Sequence, residues 1–331
     1  MRVTPSAFRT DRAVVLGWAE RGAIPRERLV EALAVAGITP TAPQWRLFLD
    51  QFLLWCGAAF LGAGAIFFIA SNWTGFGRSQ KFGLIEAAIV VSVLAAWKLG
   101  IDRVAGKAAL LVASLATGGL LAFFGQTYQT GADTWELFAT WGALVLPWIL
   151  VARFAPLWVL WIAIVNLAIG LYFRSSPFLL GFAMDPERQA WALFTFNTLA
   201  LGVWELLAQR RDWLNERWAV RLLATAGGTA ITGLAVVAIA DWSGQILTMV
   251  SYLAWLAVIH VVYRRVIFDL FMIAGTFLSV IVTVTAFLAI HLFESSGGGF
   301  EAGLLLTALA VIGMTAGAAA LLRRIASEQQ P

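Results

Sequence analysis

Apolar residues run in long segments along most of this chain, and short connections between the segments carry the charged residues. A helix needs about 20 apolar residues to cross the hydrocarbon core of a bilayer. About ten segments meet or approach that length, and each predicts a membrane-spanning helix. They lie at residues 52–70, 82–97, 108–126, 137–152, 157–173, 189–208, 219–240, 246–263, 269–293 and 301–322.

The fourth and fifth segments are both short, and only residues 153–156 separate them. Proline lacks a backbone N–H and favours a turn or the first turn of a helix. The pattern therefore predicts a tight helical hairpin with Pro156 at the turn. Whether both of its helices cross the membrane completely stays open at this point.

Positive charge collects in every second connection. If the amino terminus is cytoplasmic, the outer connections hold four basic residues: Arg78, Lys81, Arg174 and Arg188. The inner connections and the tail hold twelve: Lys98, Arg103, Lys107, Arg153, Arg210, Arg211, Arg217, Arg221, Arg264, Arg265, Arg323 and Arg324. Cytoplasmic loops of membrane proteins carry such an excess of Lys and Arg. With an even number of spans, the pattern predicts that both termini lie in the cytoplasm.

The first 45 residues differ from the rest, because charged residues are spaced among apolar ones at helical intervals. Val14 and Trp18 share one helix face, and Leu29 and Leu33 share a face of a second helix that begins near Pro25. We predict a cytoplasmic helical hairpin and linker at 1–45, a transmembrane domain at 46–325 and a cytoplasmic tail at 326–331. So short a hairpin buries little core, so it packs on the membrane domain or on a protein partner.

Composition agrees with these segments. Hydrophobic residues make up 60% of the chain, charged residues 13%, and the mean hydropathy is +0.82. No soluble domain of this size has such a composition. The formal charge of +4 is spread over the predicted membrane boundaries and does not form a basic face, so it does not indicate nucleic acid binding.

Chemically reactive residues are few. The single cysteine, Cys56, falls inside the first span, so an intrachain disulfide and a cysteine-based zinc site are excluded. His260 and His291 lie near opposite ends of their spans, where straight helices prevent them from sharing a metal. We predict neither a cofactor nor a metal, and the isolated acids and histidines argue against an enzyme.

Two motifs of the first 150 residues occur in a recognisable order. Residues 16–25 read Leu-Gly-Trp-Ala-Glu-Arg-Gly-Ala-Ile-Pro, and after paired spans residues 124–133 read Phe-Gly-Gln-Thr-Tyr-Gln-Thr-Gly-Ala-Asp. This order resembles the bacterial DUF2157 family of predicted membrane proteins. The resemblance implies a location in the bacterial cytoplasmic (inner) membrane. It implies no activity and no site residues, because the function of the family is unknown.

Polar residues within the apolar segments are the candidates for a functional site, since such groups are costly in hydrocarbon. Glu86, Gln126 and Asn166 form a candidate polar pathway. Each has a structural alternative. In these alternatives, Glu86 would pair with a nearby cation, Gln126 would belong to a hydrogen-bonded helix end, and Asn166 would bridge two helices.

Two function classes follow from these patterns. A membrane scaffold or regulatory partner is favoured by the cytoplasmic hairpin and by the structural alternatives for the polar residues. A transporter or channel for a small solute or ion is the alternative, because ten spans with glycine-rich helices can build one. Gly313 and Gly317 form a small-residue stripe on which two helices approach closely, either within the chain or in a homo-oligomer. The lipid bilayer is the remaining predicted partner.

Overall fold

The computed structural model describes residues 12–37, 42–71, 75, 77–175, 186–240, 246–294 and 300–328. Its regular structure there is entirely helical. Twelve α-helices occupy these residues: α1 Arg12–Glu20, α2 Leu29–Val35, α3 Ala42–Ser71, α4 Arg78–Leu99, α5 Val104–Tyr128, α6 Thr134–Ala152, α7 Ala155–Ser175, α8 Pro186–Ala208, α9 Arg217–Ala240, α10 Ile246–Arg265, α11 Leu270–Glu294 and α12 Phe300–Ser327. Two 3-10 helices, Arg26–Arg28 and Asp212–Leu214, lie between them.

Ten helices of the described residues, α3 to α12, are long and apolar enough to cross a membrane. The predicted all-helical polytopic architecture is therefore confirmed. Most ends differ by a few residues, because polar residues such as Arg78 and Arg217 continue a helix beyond its apolar part. The largest difference is at α3, which begins at Ala42. Pro43 was expected in a linker, but proline is well tolerated in the first turn of a helix. Residues 38–41, before α3, lie outside the described residues.

The chain forms two compact units, Met1–Ala116 and Thr117–Pro331. In the first unit, α1 and α2 pack together as the predicted hairpin, and Gly22 supplies the turn with a φ of 75°. Val15 is its buried residue, at 2% exposure, whereas Val14 and Trp18 remain 42% exposed. The face that these two residues share is thus not the one that the hairpin buries.

In the second unit, α6 and α7 form the predicted hairpin, and both are long enough to span a membrane. Arg153 makes the turn in the left-handed conformation, with a φ of 46°. Pro156 is the second residue of α7, a position where the missing N–H has no helical acceptor to lose. The Trp161 indole donates a hydrogen bond of 3.0 Å across the hairpin to the Gly142 carbonyl.

Helix α9 is at the centre of the second unit and packs against α8, α10 and α11. Its sequence is rich in Ala, Gly and Thr, and small residues let helix backbones approach closely. At Gly228 the approach is tight, since an added Cβ would lie 2.8 Å from Cη2 of Trp255 on α10. Nearer the start of α9, Val220 and Leu223 pack in a hydrophobic core with Trp204, Tyr263 and Ile273. Helix α12 packs on the outer side of α11.

Candidate functional site

Asp269 occupies the short connection between α10 and α11, and its side chain is only 1% exposed. Its Oδ1 accepts a hydrogen bond of 3.0 Å from the backbone N–H of Phe271. Phe271 is the second residue of α11, so Asp269 caps this helix, and its negative charge lies at the positive end of the helix dipole.

Two arginines of α9 bind the Asp269 carboxylate. Arg217 donates to Oδ2 through Nη2 at 3.1 Å and Nε at 3.2 Å. Arg221 donates from Nε to Oδ2 at 3.1 Å and from Nη2 to Oδ1 at 3.2 Å. The arginines are four residues apart, which places them on the same face of the helix. Hydrogen bonds between charged groups in this forked geometry are among the stronger ones in proteins.

A second carboxylate completes the group. Glu205, near the end of α8, accepts a hydrogen bond from Arg217 Nη1 at 2.9 Å. The Tyr263 hydroxyl of α10 donates to the same Glu205 oxygen at 2.7 Å. The Arg217 guanidinium also lies 5.5 Å from the Tyr263 ring centroid, within the range of a cation–π contact. We call Glu205, Arg217, Arg221, Tyr263 and Asp269 the ionic cluster. It joins α8, α9, α10 and α11 at one end.

Charge in the ionic cluster is balanced, with two guanidinium groups facing two carboxylates. Burial by itself raises the pKa of Asp269. The hydrogen bonds and the positive charges of Arg221 and Arg217 outweigh burial and hold this pKa below its ordinary value. Asp269 is therefore ionised at neutral pH and bound on both oxygens. Such an arrangement is suited to fixing helices and offers no free acid or base for proton transfer.

This cluster was not predicted from the sequence, in which Asp269 was identified only as the first residue of a span. The structure pairs Glu205 with Arg217 and Tyr263. The available signal was a pair of arginines four residues apart at the start of one span, with acids at the ends of its neighbours on the same side.

The candidate pathway residues lie in different surroundings. Glu86 is an exposed residue of α4 in the first unit. In the second unit, Gln126 is exposed near the end of α5, and Asn166 is half-buried on α7. None of these positions tests the pathway hypothesis, which stays a prediction.

Asn166 is brought against Asn197 of α8, which is 1% exposed. Asn166 Nδ2 donates to Asn197 Oδ1 at 3.2 Å, and Asn197 Nδ2 donates back to Asn166 Oδ1 at 2.6 Å. Each Nδ2 also donates to the carbonyl four residues earlier in its own helix, at 2.8 Å. The amide pair thus satisfies its donors internally and bridges α7 and α8.

Buried hydroxyls connect α9, α10 and α11 further along these helices. Thr232 Oγ1 lies 2.6 Å from Ser279 Oγ, which donates to the Tyr252 hydroxyl at 3.1 Å. The Tyr252 hydroxyl lies 3.0 Å from Thr283 Oγ1. On α11 the residues are spaced so that Thr276, Ser279 and Thr283 follow one face, and His260 Nδ1 approaches Thr276 Oγ1 at 3.4 Å. We call Thr232, Tyr252, Ser279 and Thr283 the hydroxyl chain.

The described residues contain no group of three or more His, Cys, Asp or Glu side chains placed to hold a metal ion. Cys56 is a free cysteine of α3. The ionic cluster, the amide pair and the hydroxyl chain are three buried or half-buried polar features of the described part of the second unit.

Comparison with known proteins gives one match. Residues 16–158 match a family described as predicted membrane protein (DUF2157). No curated protein and no solved structure matches the chain. The match covers both motifs that carried the resemblance, and the ten long apolar helices agree with its description. The chain is thus a multi-pass membrane protein, and its residues 16–158 are similar to the DUF2157 family.

Proposed function

We propose that this protein is a membrane scaffold or regulatory partner, and that its second unit is a rigid helical platform. The ionic cluster carries the proposal. The cluster joins four helices through charged groups that are paired with one another. Its Asp269 carboxylate is 1% exposed and accepts hydrogen bonds from arginine on both oxygens. A site that turns over a substrate needs groups whose bonds can be exchanged.

The amino-terminal hairpin supplies the proposed contact with a protein partner. Its described residues leave four large hydrophobic side chains exposed: Val14, Trp18, Val30 and Val35, at 42%, 42%, 74% and 85%. So small a helical pair cannot bury them by itself. Interfaces are enriched in tryptophan, so Trp18 is the proposed centre of the contact.

We further propose a bacterial cytoplasmic (inner) membrane location with the hairpin and the carboxyl terminus in the cytoplasm. Support comes from the distribution of arginines. Arg153, Arg210, Arg211, Arg264 and Arg265 lie at the ends of α6, α8 and α10, as the positive-inside rule requires for this orientation.

A homo-oligomer through α12 belongs to the same proposal. Gly313 and Gly317 are exposed, and an added Cβ at either one would have nothing within 4 Å. A second copy can therefore approach along this stripe. In a Cys56→Ala background, a cysteine at 313 should form a disulfide-linked dimer under mild oxidation, and one at 315, on the opposite and also exposed face of α12, should not. Equal crosslinking at both positions would contradict the stripe as an interface.

Cysteine labelling in intact cells tests the scaffold proposal. In the Cys56→Ala background, single cysteines at 86, 126, 166 and 197 are exposed to a membrane-impermeant maleimide, which reacts only with a wetted thiol. A platform predicts that 166 and 197 react only after denaturation. Labelling of 86 and 166 in intact cells would reveal an aqueous path and overturn the scaffold proposal.

Photocrosslinking tests the partner at the hairpin. A photoreactive residue replacing Trp18 should give a discrete crosslinked band in cells, and one replacing the buried Val15 should not. The absence of any band at Trp18 would contradict a stable partner there.

A transporter or channel is the second candidate function, and the hydroxyl chain favours it. Hydroxyl groups both donate and accept hydrogen bonds, so a row of them can relay protons or coordinate a small solute. Purified protein in pH-sensitive vesicles tests this function. A proton flux that Ser279→Ala abolishes and Thr229→Val leaves intact would support a transport function. The absence of flux in the wild type would argue against transport of protons and favour the scaffold proposal.

A further inference from the structure

A cavity of about 560 Å³ lies in the second unit between α7, α8 and the connection that follows α8. Most of its wall is apolar and aromatic, with Trp158, Trp161, Phe196 and Trp204 contributing. Leu199 and Val203 on α8 line it and are 64% and 54% exposed. The cavity is therefore a groove that opens sideways, toward the space where lipid chains surround a spanning helix.

Two arginines line one end of this groove. Arg153 lies in the turn between α6 and α7, and Arg211 follows the end of α8. Both are exposed. Their guanidinium groups pair with no carboxylate whose side chain the structure describes, whereas Arg217 and Arg221 of the ionic cluster are both occupied by Asp269. Among the side chains that the structure describes, the groove thus has positive charge with no paired carboxylate at one end and an apolar interior.

A buried donor lies at the same end. Trp158 is in the first turn of α7, and its Nε1 is buried without a hydrogen-bond acceptor among the described residues. The indoles of Trp161 and Trp204 do have acceptors, the carbonyls of Gly142 and Leu214 at 3.0 and 3.1 Å. Buried polar atoms are normally paired, so the free Trp158 donor calls for an acceptor from a bound molecule.

The apolar part of the groove has the depth of one leaflet. Lining residues on α8 extend from Leu207 back to Phe196. Eleven residues of helix span roughly 17 Å at 1.5 Å per residue. Half of the hydrocarbon core of a bilayer measures about 15 Å. An acyl chain whose headgroup lies at the arginines therefore fits along the wall without leaving its own leaflet.

We propose that this groove binds an anionic phospholipid. One acyl chain lies along α7 and α8, the phosphate lies between Arg153 and Arg211, and the Trp158 indole donates to a phosphate or ester oxygen. Arginine is suited to the phosphate because its planar fork donates two hydrogen bonds at once. This proposal does not depend on the proposed scaffold function, since a transporter would present the same groove to the bilayer.

Native mass spectrometry of the full chain in detergent tests the proposal. The probes are phosphatidylglycerol and phosphatidylcholine with identical acyl chains, titrated against the delipidated protein. We expect phosphatidylglycerol to bind about tenfold more tightly, because two guanidinium groups favour the net negative headgroup. Glycerol phosphate is added as a competitor at equal concentration. Equal affinities for the two lipids would overturn the proposal, and full competition by glycerol phosphate would show a free-anion site instead.

Matched variants locate the site. R153Q/R211Q should abolish the preference for phosphatidylglycerol, and R210Q, which removes a charge next to the groove without touching its lining, should keep it. Glutamine is polar and uncharged, and Arg153, Arg210 and Arg211 are all exposed, so both variants should fold. A200W fills the groove and should lower the affinity for both lipids. A preference that survives in R153Q/R211Q would overturn the assignment, and so would unchanged lipid binding by a folded A200W.

Discussion

Arg221 binds both carboxylate oxygens of Asp269, with Nε 3.1 Å from Oδ2 and Nη2 3.2 Å from Oδ1. The two partners differ sharply in exposure, since the Arg221 side chain is 43% exposed and that of Asp269 only 1%. Arg217, the other arginine on this carboxylate, is 32% exposed. Either arginine can return to water if the pair is broken. Asp269 cannot, and this asymmetry determines what mutations of the ionic cluster will do.

Removing the arginines should cost more than removing the acid. In R217Q/R221Q the buried Asp269 loses both countercharges, so we expect the free energy of unfolding to fall by about 3 kcal/mol. In D269N the exposed arginines become hydrated and the helix cap is retained in part, so the loss should be about 1 kcal/mol. Unfolding titrations with SDS in mixed micelles measure both values.

The triple variant R217Q/R221Q/D269N provides the decisive comparison, because it contains no uncompensated carboxylate at this position. It should be more stable than R217Q/R221Q. Arg264, whose pair with Glu328 is exposed at 44% and 47%, gives the control, and R264Q should change stability by less than about 1 kcal/mol. If the triple variant is the least stable of the set, the burial of an uncompensated Asp269 charge is not the main cause of the stability that R217Q/R221Q loses.

Acid should weaken the ionic cluster only below the ordinary pKa of a carboxyl group. The pKa of Asp269 is depressed in the folded protein, so its ionised form stabilises the fold above the unfolded pKa of about 4. That stability is lost as the pH falls through the lower, folded value. The stability difference between wild type and D269N should therefore be constant from about pH 5.5 to 7.5 and shrink below about pH 4. A difference that shrinks between pH 7 and 5 would contradict the depressed pKa.

The amide pair should behave as a coupled unit. Replacing Asn197 with leucine leaves the Asn166 amide without its partner inside the bundle, which we expect to cost about 1 to 2 kcal/mol. The double variant N166L/N197L removes both groups and should cost less than the sum of the single changes. A double-mutant cycle in SDS measures the coupling, expected near 1 kcal/mol. Strict additivity of the two changes would show that the hydrogen bonds between α7 and α8 contribute nothing.

The turn at Arg153 should accept glycine better than any other residue. A side chain in the left-handed conformation costs about 1 kcal/mol relative to glycine, and Arg153 has a φ of 46°. R153G should therefore stabilise the hairpin of α6 and α7 by up to that amount in a detergent free of anionic lipid. R153V should destabilise it, because a branched Cβ fits this conformation poorly. Equal stability of the two variants would contradict the turn geometry.

Gly228 and Gly313 allow the same substitution, glycine to alanine, to be compared at a tightly packed position and at an open one. G228A would place a Cβ 2.8 Å from Cη2 of Trp255, so the Trp255 ring must move or α9 and α10 must separate, at a cost of about 1 to 2 kcal/mol. G313A meets nothing within 4 Å. Because alanine favours helix, G313A should leave the stability of the monomer unchanged or raise it. Thermal unfolding of monomeric protein in detergent compares them, and a larger loss in G313A would refute the close packing at Gly228.

Element by element, the sequence predicted spans better than contacts. The length of an apolar segment determines whether it can cross a bilayer, so the ten spans and the hairpin of α6 and α7 were identified from local pattern. The turn was placed at Pro156, but it lies at Arg153, and Pro156 is already in the first turn of α7. The start of α3 was missed because Pro43 was assigned to the linker and the apolar segment begins only at residue 52, although neither this proline nor the polar residues after it interrupt the helix.

The ionic cluster could not be predicted from local sequence pattern, and the reason is physical. Glu205 and Arg210 are close in sequence, but Arg210 follows the end of α8, whereas Arg217 begins the helix that packs against it. Whether an arginine of α9 can reach Glu205 depends on the rotation of α9 about its axis. That rotation follows from the packing of Gly and Ala residues along the whole helix, and no single stretch of sequence encodes it.

The order of residues in the ionic cluster also bears on how the protein is made. Arg217 and Arg221 precede Asp269 by 52 and 48 residues. During synthesis from the amino terminus, α9 therefore leaves the ribosome well before the turn that carries Asp269. Its two cations have therefore already been synthesised when the carboxylate reaches the membrane boundary, and α10 and α11 can pack against an α9 that is complete.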